Sequence, residues 1–302
     1  MAAKQYIWLN GKFTDFGNAK VHILTHSLQY GSGIFEGIRA YQSGSRAAVF
    51  RLGDHVKRFI NTAKIYSMDL GYSEKELTDA IIGLIRKNRL QQCYIRPFAY
   101  YDDTRIGLST EGKKISVAIA AIPFGNYFQN KGKGISCKIS SWKRINSEIL
   151  PPHAKASGNY RNSILASQEA KASGADEAIM LTTNGYVAEG PGENIFFARD
   201  GKLMTPPASS DILMGITRDT IIKIAEEKGF IVEEREMHRE ELYIADELFF
   251  TGTAAELTPI VKVDGKKIGS GKTGPVTKLL SDALTELVTG KDTAFHDWVT
   301  LV

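Results

Sequence analysis

The chain has 302 residues, enough for about two domains, and its 43% hydrophobic and 24% charged residues are typical of a globular protein. The formal net charge is only +4 at pH 7, with lysines and arginines scattered among acids, which argues against nucleic-acid binding. The longest apolar run, residues 115–124, is too short to cross a bilayer, and the first residues lack the apolar stretch of a signal peptide, so no membrane partner is expected.

Cysteine and histidine usage argues against two further classes of protein. Cys93 and Cys137 are the only cysteines and lie far apart, so a disulfide framework or a thiolate zinc site is not expected. Such a chain is typical of the reducing cytoplasm. The six histidines show no metal-binding spacing, and we predict no metal site.

The first part of the chain predicts an α+β domain. Residues 6–13 place two apolar runs around an Asn-Gly pair, which predicts a β-hairpin. Residues 54–66 carry apolar side chains at helical spacing, and Ser73 with Glu76 forms a capping-box signature before a second helix.

Two strands and a polar loop follow. Residues 93–101 alternate in character, which places Tyr94 and Arg96 on one strand face, and 115–122 is typical of a buried strand. A glycine-bearing polar stretch then predicts a domain boundary. We therefore divide the chain into a small α+β domain (1–123), an interdomain loop (124–133) and a large domain (134–302).

The second part predicts strands with interspersed helices. A strand is expected over 135–142, a helix over 162–174, two hairpins over 177–206, and a last helix starting at Pro275. Because no long series of strand–helix–strand units is present, the pattern favours a mixed α/β (α+β) fold over a doubly wound sheet.

Lys155 stands five positions ahead of Tyr160, before a glycine-containing turn. A lysine whose amine is free can form a Schiff base and move a proton, and a nearby tyrosine can donate a hydrogen bond to a phenolic oxygen of a bound aldehyde. Taken alone, a surface lysine explains the position equally.

Two glutamates, Glu189 and Glu193, lie among glycines next to apolar strands. A carboxylate beside a ring nitrogen keeps that nitrogen protonated, which matters when the ring serves as an electron sink. A hairpin bend with solvated acids is the alternative interpretation.

A phosphate site is indicated by a helix start and a small-residue loop. Ile216 and Thr217 lie where a helix begins and backbone N–H groups are available, and Thr251 and Thr253 add hydroxyls. Arg58 can add a bidentate charge. Ordinary N-capping by Thr217 explains the helix start as well.

A glycine-rich stretch over 30–41 lets backbone approach a ligand, with Tyr30 and Phe35 as candidate pocket walls. Tyr94 and Arg96 can hold a carboxylate together. Alternatively, Tyr94 packs in the core and Arg96 pairs with an acid.

In this order the segments resemble the branched-chain amino acid aminotransferases, which are fold-type IV pyridoxal phosphate enzymes. The resemblance runs nearly end to end through the motifs LNGKF, YGSGIFEGIRAY, RFINTAKIY, YIRP, SSWKR, KASGNYRNS, GYVAEGPGENIF, GITRDT, GTAAELTP and GPVT. It implies a small N-terminal α+β domain, a larger C-terminal domain with a mixed β-barrel-like core, pyridoxal 5'-phosphate as cofactor, and a homodimer at least, with hexamers known in the family.

The resemblance also implies roles for single residues. Lys155 matches the catalytic Schiff-base lysine. The implied cofactor-binding residues are Lys155, Tyr160 at the phenolic oxygen, Glu189 at the pyridine nitrogen, and Arg58, Ile216, Thr217 and Thr253 at the phosphate. The implied substrate-binding residues are Tyr30, Phe35, Gly37, Arg39, Tyr94, Arg96, Thr253 and Ala254. The chain departs from the family at Phe124, where a tryptophan is frequent, and at Ser157, where glycine is frequent.

The implied activity is transamination of branched-chain L-amino acids (Leu, Ile, Val) with 2-oxoglutarate, giving branched 2-oxo acids and L-glutamate. D-Amino acid aminotransferase and aminodeoxychorismate lyase share the fold, and the EGIRAY and YIRP motifs favour the branched-chain group over both. A non-catalytic cofactor carrier is a further alternative, against which the joint presence of Lys155, Tyr160, Glu189 and Arg58 argues.

Overall fold

The computed structural model describes residues 5–125, 133–291 and 294–302. The chain forms two units: a first unit of 1–125, 154–158 and 287–302, and a second unit of 126–153 and 159–286. Most of the predicted interdomain loop, 126–132, lies outside the described residues.

The two units are not contiguous along the chain, whereas the sequence analysis assigned all of 134–302 to the large domain. Two backbone contacts explain the difference. Ala156 forms a β-bridge with Ile34, and Val299 at the carboxyl end pairs with Phe50 in an antiparallel strand pair. Both contacts join late parts of the chain to early strands, and a sequence pattern does not report such pairings.

The described elements are as follows. The strands are β1 (Tyr6–Leu9), β2 (Lys12–Asp15), β3 (Ile34–Phe35), β4 (Ile38–Ser43), β5 (Arg46–Phe50), β6 (Cys93–Tyr101), β7 (Ile115–Ile122), β8 (Ile135–Ile139), β9 (Glu177–Leu181), β10 (Val187–Glu189), β11 (Asn194–Arg199), β12 (Lys202–Thr205), β13 (Ile231–Glu234), β14 (Glu247–Gly252), β15 (Glu256–Val263), β16 (Lys266–Lys267) and β17 (Val299–Leu301). The α-helices are α1 (His26–Tyr30), α2 (Leu52–Ile65), α3 (Glu74–Asn88), α4 (Tyr160–Ala172), α5 (Ile216–Glu227) and α6 (Pro275–Val288).

The first unit is built on an eight-stranded antiparallel sheet in the order β17-β5-β4-β6-β7-β1-β2, with β3 paired to β6. The predicted Asn-Gly hairpin is confirmed: Asn10 and Gly11 both have positive φ, 46° and 85°, as a two-residue turn between β1 and β2 requires. Helices α2 and α3 contact each other, and α3 also contacts β1 and β7. The Ser73–Glu76 capping box is confirmed at the start of α3.

The second unit is built on a nine-stranded mixed sheet in the order β10-β9-β8-β15-β14-β11-β12-β13, with β16 paired to β15. Its parallel pairs are β8 with β9, β8 with β15, and β12 with β13. The helix predicted over 162–174 begins two residues earlier, at Tyr160, and α6 starts at Pro275 as expected. Sheets and helices in both units confirm the mixed α/β fold.

In the part of the chain that the structure describes, no helix is long and apolar enough to cross a membrane. Within the same residues, no group of three or more His, Cys, Asp or Glu side chains is placed to hold a metal ion.

A cross-strand aromatic pair is buried in the second unit. Phe196 of β11 lies opposite Phe249 of β14, with ring centroids 5.2 Å apart and planes 7° apart, and both side chains are fully buried. Phe249→Ala leaves a cavity there and should lower the free energy of unfolding by about 3–5 kcal/mol. Phe249→Leu keeps more of the volume and should cost less. Urea unfolding followed by circular dichroism measures both.

The control for this prediction is Ile231→Ala in β13, where the side chain is 61% exposed. It should change the free energy of unfolding by no more than about 0.5 kcal/mol. Equal unfolding midpoints for Phe249→Ala and Ile231→Ala would contradict the importance assigned to the aromatic pair.

Candidate active site

Lys155 is fixed in the first unit through its backbone. Its N–H donates to Thr62 Oγ1 of α2 at 3.2 Å, and its carbonyl oxygen accepts from the Phe35 N–H of β3 at 3.0 Å. The flanking residues Ala154 and Ala156 are buried. The Lys155 Nζ lies 5.0 Å from the centre of the Phe35 ring. The backbone position of Lys155, from which its amine extends, is therefore set by contacts with both a helix and a sheet.

Three buried or partly buried side chains, Glu36, His55 and Arg58, form a charge cluster near Lys155. Glu36 is fully buried and accepts from Arg58 Nε at 2.5 Å and from Arg58 Nη2 at 2.9 Å. His55 Nδ1 lies 2.8 Å from the same carboxylate, and the Gly37 N–H donates to it at 3.1 Å. His55 and Arg58 come from α2 at a spacing of three residues, which places both on one helix face.

Burial and charge act in opposite directions on this cluster. Burial alone raises the pKa of Glu36, but Arg58 and His55 outweigh burial and hold the pKa well below its usual range. The pKa of His55 is lowered, chiefly by burial, with Arg58 and Lys155 acting in the same direction against Glu36. At neutral pH the cluster is therefore a carboxylate, a guanidinium and a neutral imidazole that donates from Nδ1.

The predicted substrate residues Phe35, Tyr94 and Arg96 lie together in the first unit. The Arg96 guanidinium stands 4.7 Å from the centre of the Phe35 ring and donates to Tyr94 Oη at 3.2 Å. Gly37 closes the group, because a Cβ there would lie 2.1 Å from Tyr94 Oη. Arg96 is exposed, so its charge can meet a ligand without large desolvation.

Phe124 packs against Tyr94, and Arg39 packs against Phe124. Phe124 lies 5.0 Å from Tyr94 between ring centroids, and the Arg39 guanidinium lies 5.3 Å from the Phe124 ring. Arg39 Nη2 also donates to the Gly125 carbonyl at 3.1 Å. The position where the family frequently has tryptophan therefore contacts two predicted substrate residues.

Tyr30 ends α1 and is 41% exposed. Its hydroxyl accepts from the Gly107 N–H at 3.3 Å, and its ring lies 4.7 Å from that of His26. The structure thus places Tyr30 on a surface of the first unit beside the loop that contains Gly107.

In the second unit, Glu189 ends β10 and is buried. Arg144 Nε lies 2.7 Å from its Oε1, as an ion pair rather than a well-aligned hydrogen bond. Asn194 Nδ2 donates to Oε2 at 3.0 Å, and the Leu213 N–H donates at 3.1 Å. The carboxylate is therefore held in one orientation by three separate segments of this unit.

Asn194 links Glu189 to the start of α5. Besides Glu189, its Nδ2 donates to the Leu213 carbonyl at 2.9 Å. A Cβ at Gly215, the residue before α5, would lie 1.9 Å from Asn194 Oδ1, so glycine is required for this approach. Asn194 also pairs with Thr251 in the sheet. The Asn194 amide thus connects the end of β10 with the segment before α5, and the Asn194 backbone belongs to the strand that pairs with β14.

The start of α5 has the features of an anion site. Gly215 is the N-cap and offers no side chain of its own to cap the helix. Ile216 and Thr217 form its first turn and are buried. Among the described residues, the buried hydroxyl of Thr251 has no hydrogen-bond partner. These features fit a phosphate group, which helix N-termini and hydroxyls bind well.

The remaining predicted residues of the second unit are Tyr160, Thr253 and Ala254. Tyr160 opens α4 directly after Asn159, whose side chain donates to the Pro151 carbonyl at 3.0 Å. Thr253 and Ala254 follow β14 and are half-buried. Glu193, the second glutamate of the glycine-rich stretch, is buried and accepts from the Gly192 N–H at 3.0 Å.

Five residues that contact predicted site residues carried no role in the sequence analysis: Glu36, His55, Thr62, Arg144 and Asn194. Three of them lie inside the motifs FEG, SSWKR and GEN, so a signal was present. A pattern of letters, however, does not reveal that a glutamate is buried against an arginine 22 positions later. The structure supplies that information.

Comparison with known proteins identifies the family of this chain. The family model for class IV amino-transferases matches residues 33–263. A branched-chain-amino-acid aminotransferase of Pseudomonas aeruginosa is 47% identical over 298 residues, which cover 98% of this chain and 97% of that protein.

Solved structures show the same similarity. A branched-chain aminotransferase from Thermoproteus uzoniensis, crystallised with norvaline, has a TM-score of 0.95 and 46% identity, with 99% of each chain covered. A second branched-chain amino acid aminotransferase, complexed with N-(5'-phosphopyridoxyl)-L-glutamate, has a TM-score of 0.93 and 43% identity, with 98% of each chain covered. The chain therefore belongs to the class IV amino-transferase family, among the branched-chain amino acid aminotransferases.

Proposed function

We propose that the protein is a pyridoxal 5'-phosphate-dependent aminotransferase that moves the amino group of L-leucine, L-isoleucine or L-valine to 2-oxoglutarate. The observation that carries the proposal is the buried Glu189 carboxylate, held by Arg144, Asn194 and the Leu213 N–H in a chain nearly half identical to a branched-chain aminotransferase. The relatives crystallised with norvaline and with phosphopyridoxyl-glutamate support one apolar and one acidic substrate.

The residues that hold the cofactor follow from the family pattern and fit the local geometry. Lys155 binds its aldehyde, Tyr160 its phenolic oxygen and Glu189 its ring nitrogen. The phosphate is assigned to Arg58 together with Ile216, Thr217 and Thr253. The helix start without a side-chain cap and the unpartnered Thr251 hydroxyl support this phosphate assignment for the described residues. When bound, pyridoxal phosphate supplies an electron sink for negative charge at the substrate Cα.

Proton transfer is assigned to Lys155. Its Nζ takes the proton from the substrate Cα and returns a proton as the general acid in the second step. The hydrogen bonds of the Lys155 backbone with Thr62 and Phe35 hold its Cα in place, so that only the side chain moves during proton transfer. Such positioned acid–base groups contribute on the order of 10²–10⁴ in rate.

Glu189 is assigned the task of holding a proton on the ring nitrogen. A carboxylate stabilises a neighbouring cationic N–H, and the stabilisation is large where water is excluded. Arg144, Asn194 and Leu213 hold the carboxylate so that its orientation does not change during the reaction. This preorganisation avoids a reorganisation cost in each cycle.

Two kinds of side chain must fit one substrate site. Tyr30 and Phe35 supply apolar walls that suit leucine, and Arg96 is assigned the side-chain carboxylate of glutamate. Thr253 and Ala254 bind the substrate's α-carboxylate, with support from Tyr94. Gly37 and Arg39 shape the surroundings, since Gly37 admits Tyr94 and Arg39 packs on Phe124.

The proposal extends to partners and location. The partners are branched-chain amino acids, glutamate and their 2-oxo acids, and the enzyme acts as a homodimer at least. We place it in the cytoplasm, because both cysteines are free and buried, as in proteins kept reduced.

Burial raises the pKa of the Cys93 thiol to about 12, which makes this thiol unreactive.

Lys155→Ala should lower turnover of L-leucine with 2-oxoglutarate by at least about 10²–10⁴, because the proton-transferring amine is lost. Formation of glutamate, measured by a coupled assay, gives the rate. Lys64→Ala removes an exposed lysine at the end of α2 and should leave turnover unchanged. Full activity of Lys155→Ala would refute the catalytic assignment.

Arg96→Leu should lower kcat/KM for L-glutamate roughly 10- to 100-fold, the effect of losing one charged hydrogen bond. The value for L-leucine should change by less than about threefold, since leucine has no side-chain charge. Steady-state kinetics with both substrates measures the ratio, and Arg46→Leu, at the exposed first residue of β5, is the control. Equal losses for both substrates would count against the assignment of Arg96.

Glu189→Gln should lower turnover of both substrates roughly 10- to 100-fold, because an amide stabilises a ring N–H less than a carboxylate does. Since both substrates use the same ring nitrogen, the two losses should be similar. The control is Glu226→Gln on the exposed face of α5, which should behave as the parent protein. A loss confined to one substrate would show that Glu189 acts on the substrate instead.

A further inference from the structure

The Glu36 carboxylate has no task in the mechanism above, although it is fully buried. Burying a carboxylate is costly unless it is paired and hydrogen-bonded. Here four donors satisfy it: Arg58 Nε, Arg58 Nη2, His55 Nδ1 and the Gly37 N–H. The carboxylate is therefore well paired, and half of its donors belong to the arginine that we assign to the phosphate.

The backbone of Glu36 is held on both sides. The preceding residue, Phe35, donates its N–H to the Lys155 carbonyl at 3.0 Å. The Glu36 N–H itself donates to the Pro97 carbonyl of β6 at 2.9 Å. The carboxylate thus projects from the segment that also contacts Lys155, and its backbone is anchored outside α2.

The bidentate contact with Glu36 fixes the orientation of the Arg58 guanidinium as well as its position. Because the guanidinium is planar and two of its N–H groups point at the two Glu36 oxygens, both the plane and the direction of Arg58 are set. The edge that carries Nη1 then faces away from Glu36. The Arg58 side chain retains 15% of its exposure, whereas that of Glu36 retains none. The arginine is therefore the member of the pair that a ligand can reach.

We propose that Glu36 is a positioning residue for cofactor binding: it orients Arg58 so that the guanidinium meets the phosphate in a preset direction. This inference rests on the proposed function, in particular on the phosphate role of Arg58. His55 completes the arrangement, because a neutral imidazole donates to Glu36 without adding a second positive charge to compete with Arg58.

Removal of the carboxylate has a defined consequence for ligands. Without Glu36, Arg58 has more side-chain conformations to lose when it binds a phosphate, and ordering it costs affinity. The loss affects only ligands that carry the phosphate. A ligand that uses Lys155 alone gains nothing from the orientation of Arg58 and loses nothing when Glu36 is changed.

The experiment compares two ligands of the protein from which cofactor has been removed. Dissociation constants for pyridoxal 5'-phosphate and for pyridoxal, which lacks the phosphate, are measured by absorption titration for the parent protein and for Glu36→Gln. The dissociation constant for pyridoxal 5'-phosphate should rise roughly 3- to 10-fold, the cost of ordering one long side chain, while that for pyridoxal should change by less than about twofold. Equal weakening for both ligands overturns the proposal in favour of a role in folding alone.

Arg58 variants separate this inference from the proposed function. Arg58→Ala should weaken pyridoxal 5'-phosphate binding, and adding Glu36→Gln to Arg58→Ala should cause no further loss, since Glu36 acts through Arg58. An undiminished preference for the phosphorylated ligand in Arg58→Ala would overturn the phosphate role of Arg58. A preference lost in Arg58→Ala but kept in Glu36→Gln would overturn the inference about Glu36 only.

Two further variants complete the test. Glu241→Gln removes a carboxylate from another bidentate arginine pair, Arg235–Glu241 in the second unit, and should leave both dissociation constants unchanged. Glu36→Asp keeps the charge and serves where Glu36→Gln does not fold. It should weaken binding of the phosphorylated ligand only, and equal weakening of both ligands would again overturn the proposal.

Discussion

Each unit of this protein contains a buried carboxylate paired with an arginine, and this ion pair constrains the segments around it. In the first unit, Glu36 is satisfied by Arg58, His55 and the backbone of Gly37. In the second unit, Glu189 is satisfied by Arg144, Asn194 and the backbone of Leu213. An unpaired buried charge would cost several kcal/mol, roughly the stability of a whole domain, so the surrounding segments cannot rearrange independently of these carboxylates.

Because several partners hold each carboxylate in place, both carboxylates suit the repeated cycles of the proposed transamination. A group held by several donors does not reorient when charge develops beside it, and a preset dipole costs nothing at the moment of reaction. Glu189 illustrates this within β10, β11 and the segment before α5. Glu36 holds Arg58 in the same way, and it affects a ligand only through the phosphate role proposed for Arg58.

Local elements of the fold were predictable where local chemistry decides them. The Asn10–Gly11 turn follows from the positive φ values that a two-residue hairpin requires, and the start of α3 follows from the Ser73–Glu76 capping box. The start of α4 was placed two residues late; Asn159 precedes it with helical φ and ψ and makes no side-chain capping hydrogen bond. The return of 154–158 and of β17 to the first unit was not predictable, since pairing partners far apart in the chain leave no local pattern.

The sequence by itself determined the family, because ten motifs in register are specific even when each one alone has an ordinary structural explanation. It also named the amine, the two acids of the glycine-rich bend and the helix start, since those groups follow from residue type and position. Only the tertiary structure decided which acid is held by an arginine, and that Glu36 is buried against Arg58. The physical reason is that burial and hydrogen bonding depend on neighbours brought together by folding, and residue type alone does not contain that information.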